Sequence, residues 1–241
     1  PEERYQSAHG LRVDLGTCRE VLSTKRACPV FVPGREDVNE RFEISQRLYG
    51  RRSEIQKLTE AFERARCGES GFLLVSGYPG IGKSSLVGEI REIVLQSRGH
   101  FVMGKFDQYK RAVPYESLVQ AFRELVELIL GEAPESIVDW RERLLAELGA
   151  NVRVVSEVIP ELELITGPQK PVPRLGAAET QNRFNLAFRA FVNVFSQPER
   201  PLVMFLDDLQ WADVPSLELL EQLIDDPESS NRFVIGAYRD N

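Results

Sequence analysis

Gly77-Tyr78-Pro79-Gly80-Ile81-Gly82-Lys83-Ser84 fits the pattern G-x-x-x-x-G-K-[ST] at all four of its specified positions. The short apolar run over 72–76 comes directly before this loop and predicts a buried strand. Apolar residues follow the loop at helical spacing, at Leu86, Ile90, Ile93 and Val94. A strand, a glycine-rich loop and a helix, in that order, form the context in which this pattern holds phosphate groups.

The residue types of this loop suit a triphosphate. Glycines let backbone N–H groups approach phosphate oxygens, and the start of the following helix adds unpaired N–H groups and a partial positive charge. We expect Lys83 to reach the β- and γ-phosphates, Ser84 to ligate Mg²⁺ and Ser85 to approach the α-phosphate. The alternative is a glycine-rich turn that binds nothing, and the Lys-Ser pair after the last glycine disfavours it.

The composition indicates a globular protein with mixed charge. The chain has 241 residues and a net charge of −7, which allows one large domain or one domain with attachments. The acidic balance counts against a nucleic-acid-binding face as the main function. No apolar run reaches the length of about 18 residues that a membrane span needs, and no signal peptide is visible. Because the chain begins at Pro1, we expect a piece of a longer protein, and the absence of paired cysteines favours a cytoplasmic one.

The cysteines and histidines predict no metal site. Cys18, Cys28 and Cys67 are far apart and form no CxxC pair, so we expect reduced thiols. His9 and His100 are also far apart, and packing or surface roles are expected for both.

Periodicity divides the chain into a small amino-terminal unit and a larger α/β unit. The first contains a predicted helix over 2–22, followed by a linker over 25–46. In the second, strands are predicted at 72–76, 101–105, 202–206 and 233–238, and helices at 53–65, 115–130, 137–148, 179–195 and 216–224. This alternation predicts a parallel sheet with helices on both faces, and ligands at the carboxyl ends of its strands. Core positions are expected at Phe184, Phe188, Phe191 and Phe195.

Two acids and an arginine follow predicted strands. Asp207 and Asp208 end the third strand, where we expect Asp207 to hold Mg²⁺ through a water and Asp208 to polarise an attacking water. The alternative is that both acids begin a solvated turn. Arg239 follows the fourth strand. If the fourth strand lies beside the third, Arg239 reaches the same end of the sheet, where it would sense the γ-phosphate and stabilise transition-state charge. The alternative is a surface arginine.

Several segments together resemble the signal-transduction ATPases with numerous domains (STAND), whose ATPase module is of the AAA type related to origin-recognition ATPases. The segments are the glycine loop (Walker A), 205–213 with its two acids (Walker B), Gly236-Ala237-Tyr238-Arg239 and Leu48-Tyr49-Gly50-Arg51. The resemblance implies that Tyr49, Gly50 and Arg51 lie against adenine and ribose, and that Arg239 is the sensor arginine. Trp211 and Asp213 fit the family pattern. Segments 105–108 and 114–115 also resemble this group, without an assigned role.

The resemblance implies a P-loop NTPase fold over 47–241. This is a three-layer αβα sandwich with a mostly parallel sheet and a long helical insertion between the second and third strands. STAND proteins continue after the sensor arginine with a further strand, a helical lid and a winged helix, whereas this chain ends at Asn241. Since that further strand pairs with the strand of the glycine loop, we expect 72–75 to form an exposed edge.

The first 24 residues resemble the last helix of a serine/threonine protein kinase domain, with Arg4 matching an arginine that pairs with a glutamate below the activation segment. Such a tail before a STAND module is the layout of hybrid signalling kinases of two-component systems, which continue into sensor and histidine kinase domains. The resemblance thus implies neighbouring kinase and sensor domains as partners. No kinase catalytic motif lies in this chain, so no protein-kinase activity is expected from it.

The leading hypothesis is a module that binds ATP with Mg²⁺, hydrolyses it slowly and acts as a signalling switch. A scaffold that does not hydrolyse nucleotide, with the helical region 114–195 as its partner surface, is a second hypothesis. A DNA-associated AAA ATPase is a third, and the acidic charge counts against it. A GTPase is disfavoured because no Asn-Lys-x-Asp segment exists. Oligomerisation stays open.

Overall fold

The computed structural model describes residues 8–24, 51–78, 80–109, 113–226 and 230–240. The chain divides into two compact units, 1–47 and 48–241. In the first, helix α1 spans Ala8–Thr24 and exposes Leu11 and Leu15. Arg4, on which part of the kinase resemblance depends, lies outside the described residues, as does Cys28.

The second unit is built around a parallel four-stranded sheet formed by the described residues. Its strands are β1 (Ser70–Ser76), β2 (His100–Lys105), β3 (Leu202–Asp207) and β4 (Arg232–Tyr238), in the order β1-β4-β3-β2. Every pairing is parallel, with Leu73 and Phe205 both opposite Ile235. The central strands β3 and β4 are buried along almost their whole length, which explains their continuous apolar sequences. The predicted α/β class and strand positions are therefore confirmed.

Helices cover both faces of this sheet. On one face, α2 (Arg52–Arg66) and α3 (Lys83–Gln96) pack against side chains of β3 and β4, including Phe205 and Ile235. On the other face lie α4 (Glu116–Leu130), α5 (Pro134–Leu148), α6 (Val152–Ser156), α7 (Leu162–Thr166), α8 (Ala177–Val194) and α9 (Val214–Ile224). The unit is thus a three-layer αβα sandwich with a helical insertion between β2 and β3, as expected.

The helical insertion has an aromatic core. The four phenylalanines that were expected to pack inside it are all buried, and Phe122 lies 5.5 Å from Phe188 and 5.6 Å from Phe191 between ring centroids. The short helices α6 and α7 were not predicted, since five residues give too little periodicity to identify a helix.

Strand β1 lies at the edge of the sheet, where its neighbour among the described residues is β4 alone. Its side chains alternate between half-buried and exposed, and Phe72 and Leu74 are 44% and 52% exposed. The predicted exposed edge at the glycine-loop strand is confirmed.

Buried polar contacts hold the amino-terminal end of the central strand β4 in place. Arg232 at the start of β4 is fully buried and donates hydrogen bonds to Asn193 Oδ1 at 3.0 Å and to the carbonyl oxygen of Leu223. The neighbouring Asn231 donates to the carbonyl oxygen of Ala65 at 2.9 Å. These contacts connect β4 to the helical layers on both faces of the sheet.

His100 at the start of β2 packs against aromatic rings, in agreement with the packing role that was one of two expected. Its ring centroid lies 5.6 Å from that of Trp140 and 6.1 Å from that of Phe195. Burial, and then the charge of Arg200, lower the pKa of His100 to about 4. The imidazole is therefore neutral in the folded protein at neutral pH.

We expect this histidine to make stability depend on pH. Between pH 6.5 and about 4 the unfolded chain binds a proton at His100 that the folded chain does not, so the free energy of unfolding falls as pH falls. His100→Phe keeps an aromatic ring beside Trp140 and removes this dependence. In urea denaturation, the variant should gain about 2 to 3 kcal/mol over the wild type when pH is lowered from 7 to about 4.5. The same pH dependence in both proteins would contradict the neutral, buried state of His100.

Candidate functional site

The glycine loop connects β1 to α3 with a backbone that suits glycine. Gly80 and Gly82 have φ angles of 77° and 92°, in the left-handed region that other residues rarely adopt. Gly82 directly precedes α3 and has no side chain to cover the free N–H groups of the first helical turn. The start of α3 is therefore open toward the carboxyl edge of the sheet. Pro79 lies outside the described residues.

Lys83 is the first residue of α3 and is almost buried, at 9% exposure. Its ammonium group donates to the carbonyl oxygens of Gly77 at 2.6 Å and Tyr78 at 3.2 Å. The side chain of Lys83 thus connects the start of α3 to the first two residues of the glycine loop. Other loop side chains point outward, since Tyr78 is 66% and Ile81 43% exposed.

Ser84 and Asp207 bring the loop and the third strand together. The Ser84 hydroxyl donates to Asp207 Oδ2 over 3.4 Å, although the two residues are far apart in sequence. Asp207 ends β3 and also accepts a hydrogen bond from the backbone N–H of Asp208 at 2.9 Å. A hydroxyl and a carboxylate oxygen at this distance form the type of oxygen pair that Mg²⁺ prefers.

Asp208 is buried, at 5% exposure, and surrounded by donors. Arg239 binds it with two hydrogen bonds, from Nε to Oδ1 at 2.9 Å and from Nη2 to Oδ2 at 3.1 Å. Gln210 Nε2 donates to Oδ1 at 2.9 Å, and Lys105 Nζ lies 3.8 Å from Oδ2. Burial raises the pKa of Asp208, but the hydrogen bonds from Arg239 and Gln210 and the charges of Arg239 and Lys105 outweigh it, so the pKa is lowered overall.

These side chains line one cleft of about 320 Å³ at the carboxyl ends of the strands. Its lining comprises Gly80, Gly82, Lys83, Ser84, Ser85, Lys105, Asp207, Asp208 and Arg239. Segments that are separate in sequence therefore meet at the edge of the sheet where ligands of parallel α/β folds bind.

The profile of a known family, described as the AAA ATPase domain, matches residues 47–235. The chain belongs to the AAA ATPase family. Membership of this family implies that the domain binds a nucleotide.

Two curated relatives are histidine kinases by name. This AAA domain chain is 37% identical over 245 residues to hybrid signal transduction histidine kinase G of Dictyostelium discoideum, and 22% identical over 265 residues to histidine protein kinase 1 of Candida albicans. Each alignment covers 93% of this chain but only 7% and 10%, respectively, of the relative. The chain therefore spans a tenth or less of the length of these relatives.

Among solved structures, the AAA domain is similar to Cdc6p from Pyrobaculum aerophilum. The similarity has a TM-score of 0.47 and 13% sequence identity, and covers 83% of this chain and 41% of that one. Among the described residues, no helix is both long and apolar enough to cross a membrane.

The segment before α2 reaches the loop through Arg51. Its guanidinium donates from Nη2 to the carbonyl oxygen of Ile81 at 2.9 Å. Arg51 also lines a second cavity, of about 260 Å³, between α2 and β1, whose apolar walls include Leu58, Leu73 and Leu86. Tyr49 and Gly50, which were expected beside Arg51 at the adenine and ribose, lie outside the described residues.

Two residues that contact Asp208 were not predicted as site residues: Lys105, which lines the cleft, and Gln210, which lies behind Asp208 as a hydrogen-bond donor. Lys105 is the last residue of β2, and carboxyl ends of parallel strands share one edge, so its place at the end of a predicted strand was a usable signal. Gln210 follows the two acids, and it connects them to β4 because its Oε1 accepts from the backbone N–H of Arg239 at 3.2 Å.

Asp213 and Trp211, which were singled out by the STAND resemblance, have structural contacts. Asp213 caps helix α9, accepting from the Ser216 backbone N–H at 2.8 Å and from its hydroxyl at 2.7 Å. Trp211 packs against the core of the helical insertion.

We expect the pKa of Asp208 to rise when its arginine is removed. Arg239→Gln deletes two charge-assisted hydrogen bonds, while the burial that opposes ionisation remains. Carboxyl ¹³C chemical shifts, followed through a pH titration, measure the change directly. Arg66→Gln, which removes an exposed arginine paired with Glu63 at 2.9 Å, is the matched control and should leave the pKa of Asp208 unchanged. An unchanged pKa in Arg239→Gln would show that the pair does not form.

Proposed function

We propose that this AAA domain binds ATP with Mg²⁺, hydrolyses it slowly and acts as a nucleotide-dependent switch in a multidomain signalling kinase. The observation that carries the proposal is the meeting of Lys83, Ser84, Asp207, Asp208 and Arg239 in one cleft. Each residue type suits a different part of a metal-bound triphosphate.

The phosphate chain is assigned to the loop and the start of α3. Lys83 exchanges the carbonyl oxygens of Gly77 and Tyr78 for oxygens of the β- and γ-phosphates, and the open N–H groups of α3 donate to the same chain. Ser85 lines the cleft on the side assigned to the α-phosphate. Adenine and ribose are assigned to the side of Arg51, where the apolar walls of the second cavity suit a base.

The oxygens of Ser84 and Asp207 fit a magnesium site, because they lie 3.4 Å apart and Mg²⁺ uses few protein ligands besides water and phosphate. When bound, Mg²⁺ neutralises charge on the phosphate oxygens. Ser84 and Asp207 are the residues that would hold the ion, Ser84 with its hydroxyl and Asp207 through a water.

The contacts of Asp208 support the proposal that hydrolysis is slow. To orient an attacking water, this carboxylate must offer an oxygen that now accepts hydrogen bonds from Arg239 and Gln210. Its lowered pKa also makes it a weak base. Turnover therefore requires Arg239 to leave the carboxylate for the γ-phosphate, which couples the ends of β3 and β4 to the state of the nucleotide.

The signalling context is supported by the names of the relatives, which are histidine kinases. We assign 1–24 to the end of a protein kinase domain, 25–46 to a linker and 47–241 to the ATPase module of a longer chain. Kinase and sensor domains of that chain are then the partners whose arrangement the nucleotide controls, and no protein-kinase activity belongs to this segment.

Replacement of Lys83 by alanine should abolish ATP binding. The substitution removes the cation assigned to two phosphates and leaves the carbonyl oxygens of the loop to repel them. Isothermal titration calorimetry with Mg²⁺ and ATP measures the affinity. The exposed Lys170 provides the control Lys170→Ala, which should bind as the wild type does. Unchanged affinity in Lys83→Ala would exclude the glycine loop as the phosphate site.

Asp208→Asn should keep ATP binding and remove turnover, because the amide keeps the size of the side chain but cannot act as a base. Single-turnover hydrolysis measures this, with Asp139→Asn on the surface of α5 as control. Equal hydrolysis in wild type and Asp208→Asn would assign the water to another residue.

Single-turnover hydrolysis also distinguishes the proposed ATPase from a second candidate function, a scaffold that binds nucleotide without hydrolysing it. The donors already bound to Asp208 favour that candidate. Binding of ATP without any single-turnover hydrolysis in the wild type would establish it.

A further inference from the structure

Lys105 places an additional cation in the cleft from β2, the strand at the edge of the sheet opposite β1. It is the last residue of β2 and is paired in register with Asp207. Paired residues of neighbouring strands point to the same face, and on this face lies α3 with Lys83 and Ser84. The side chain is 66% exposed, and its ammonium group lies 3.8 Å from Asp208 Oδ2.

The backbone that carries Lys105 is firmly held. Its carbonyl oxygen accepts a hydrogen bond from the Ser117 hydroxyl at 2.8 Å, and the next residue, Phe106, is buried and donates to the carbonyl oxygen of Asp207 at 3.0 Å. The preceding Gly104 lies so close to α4 that a Cβ would approach the Ser117 backbone oxygen to 2.9 Å. Only the side chain of Lys105 is therefore free to move.

Among the described cations that line the cleft, Lys105 has the weakest attachment. Lys83 makes two hydrogen bonds to carbonyl oxygens, and Arg239 makes two to a buried carboxylate. With the described residues, the ammonium group of Lys105 forms one ion pair, at the outer limit of such a contact. Its side chain is mostly in water, where ion pairs contribute little. It can be redirected to an incoming anion at small cost.

The order of the strands indicates which phosphate group of a bound nucleotide reaches Lys105. The glycine loop follows β1 at one edge of the sheet, and β2 forms the opposite edge. The contact between Ser84 and Asp207 extends the site from the loop to β3, and Lys105 lies one strand further, about 5 Å away. A phosphate chain that starts at the loop therefore reaches Lys105 with its last phosphate.

We propose that Lys105 is a specificity-determining residue that binds the terminal phosphate of ATP and lets the site distinguish ATP from ADP. This inference rests on the proposed function. Lys105 leaves Asp208 when it binds the phosphate, so the carboxylate loses one of the cations that neutralise it.

The test is the affinity of the 241-residue chain and its variants for two probes, Mg²⁺·ATPγS and Mg²⁺·ADP, by isothermal titration calorimetry. Lys105→Met should weaken ATPγS binding about tenfold and change ADP binding less than about twofold, because only ATPγS carries the terminal phosphate. Lys105→Arg keeps the charge and should restore most of the ATPγS affinity. Lys170→Met removes an exposed lysine outside the cleft and should change neither affinity.

ADP binding also reports that the variant is folded. Equal losses for both probes would overturn the inference, because Lys105 would then act on the fold or on the shared phosphates. Unchanged binding of both probes in Lys105→Met, with normal binding in the wild type, would overturn it and leave the proposed function intact. If the wild type bound neither probe, the proposed function would fail and the inference with it.

Discussion

The parallel, in-register pairing of β3 with its two neighbours is the constraint on which the site depends. It places Lys105 opposite Asp207 and brings Arg239, which follows β4, beside Asp208. A slip of one residue in either pairing would turn these side chains to the opposite face of the sheet. On β4, a Cβ at Gly236 would come within 2.4 Å of Leu209 Cδ1 and 2.9 Å of Leu74 Cδ2, so both leucine side chains would have to shift. Close packing of strands thus fixes the positions of the charges.

The local charge of the cleft differs from the charge of the chain. The chain carries a net charge of −7, whereas the cleft is lined by Lys83, Lys105 and Arg239 against the carboxylates of Asp207 and Asp208. Low exposure of Lys83 and Asp208 strengthens these interactions relative to water. A net negative charge disfavours long polyanions, whereas the small positive excess in the cleft suits a compact one. Net charge alone would have missed this distinction.

Most of the fold could be predicted because its signals are local. Strand sequences with continuous apolar residues, and helices with one apolar face, gave positions within a few residues of those observed, as for β3 and α8. Helices α6 and α7 were missed because five residues do not establish a period. Asp207, Asp208 and Arg239 could be placed at the carboxyl end of the sheet because each follows a predicted parallel strand, whereas the sequence left open whether β4 lies beside β3. The pairing of Arg239 with Asp208, and the contacts of Lys105 and Gln210, depend on neighbours that are distant in sequence. Nothing in the sequence indicated that Arg232 is buried, because a charged residue at the start of a strand is usually exposed.

The two ends of the sheet differ in how easily their contacts can be exchanged. At the amino-terminal end, Arg232 and Asn231 are buried and bonded to carbonyl and amide oxygens of both helical layers, which no solute can replace. At the carboxyl end, β3 and β4 are joined through an arginine and a carboxylate that open onto a cleft, where an anion can take the place of the carboxylate. The contacts at the amino-terminal end are therefore permanent, and those at the carboxyl end can be exchanged. A ligand in the cleft can thus exchange contacts at the carboxyl ends of β3 and β4, while the contacts of Asn231 and Arg232 keep the amino-terminal ends in place.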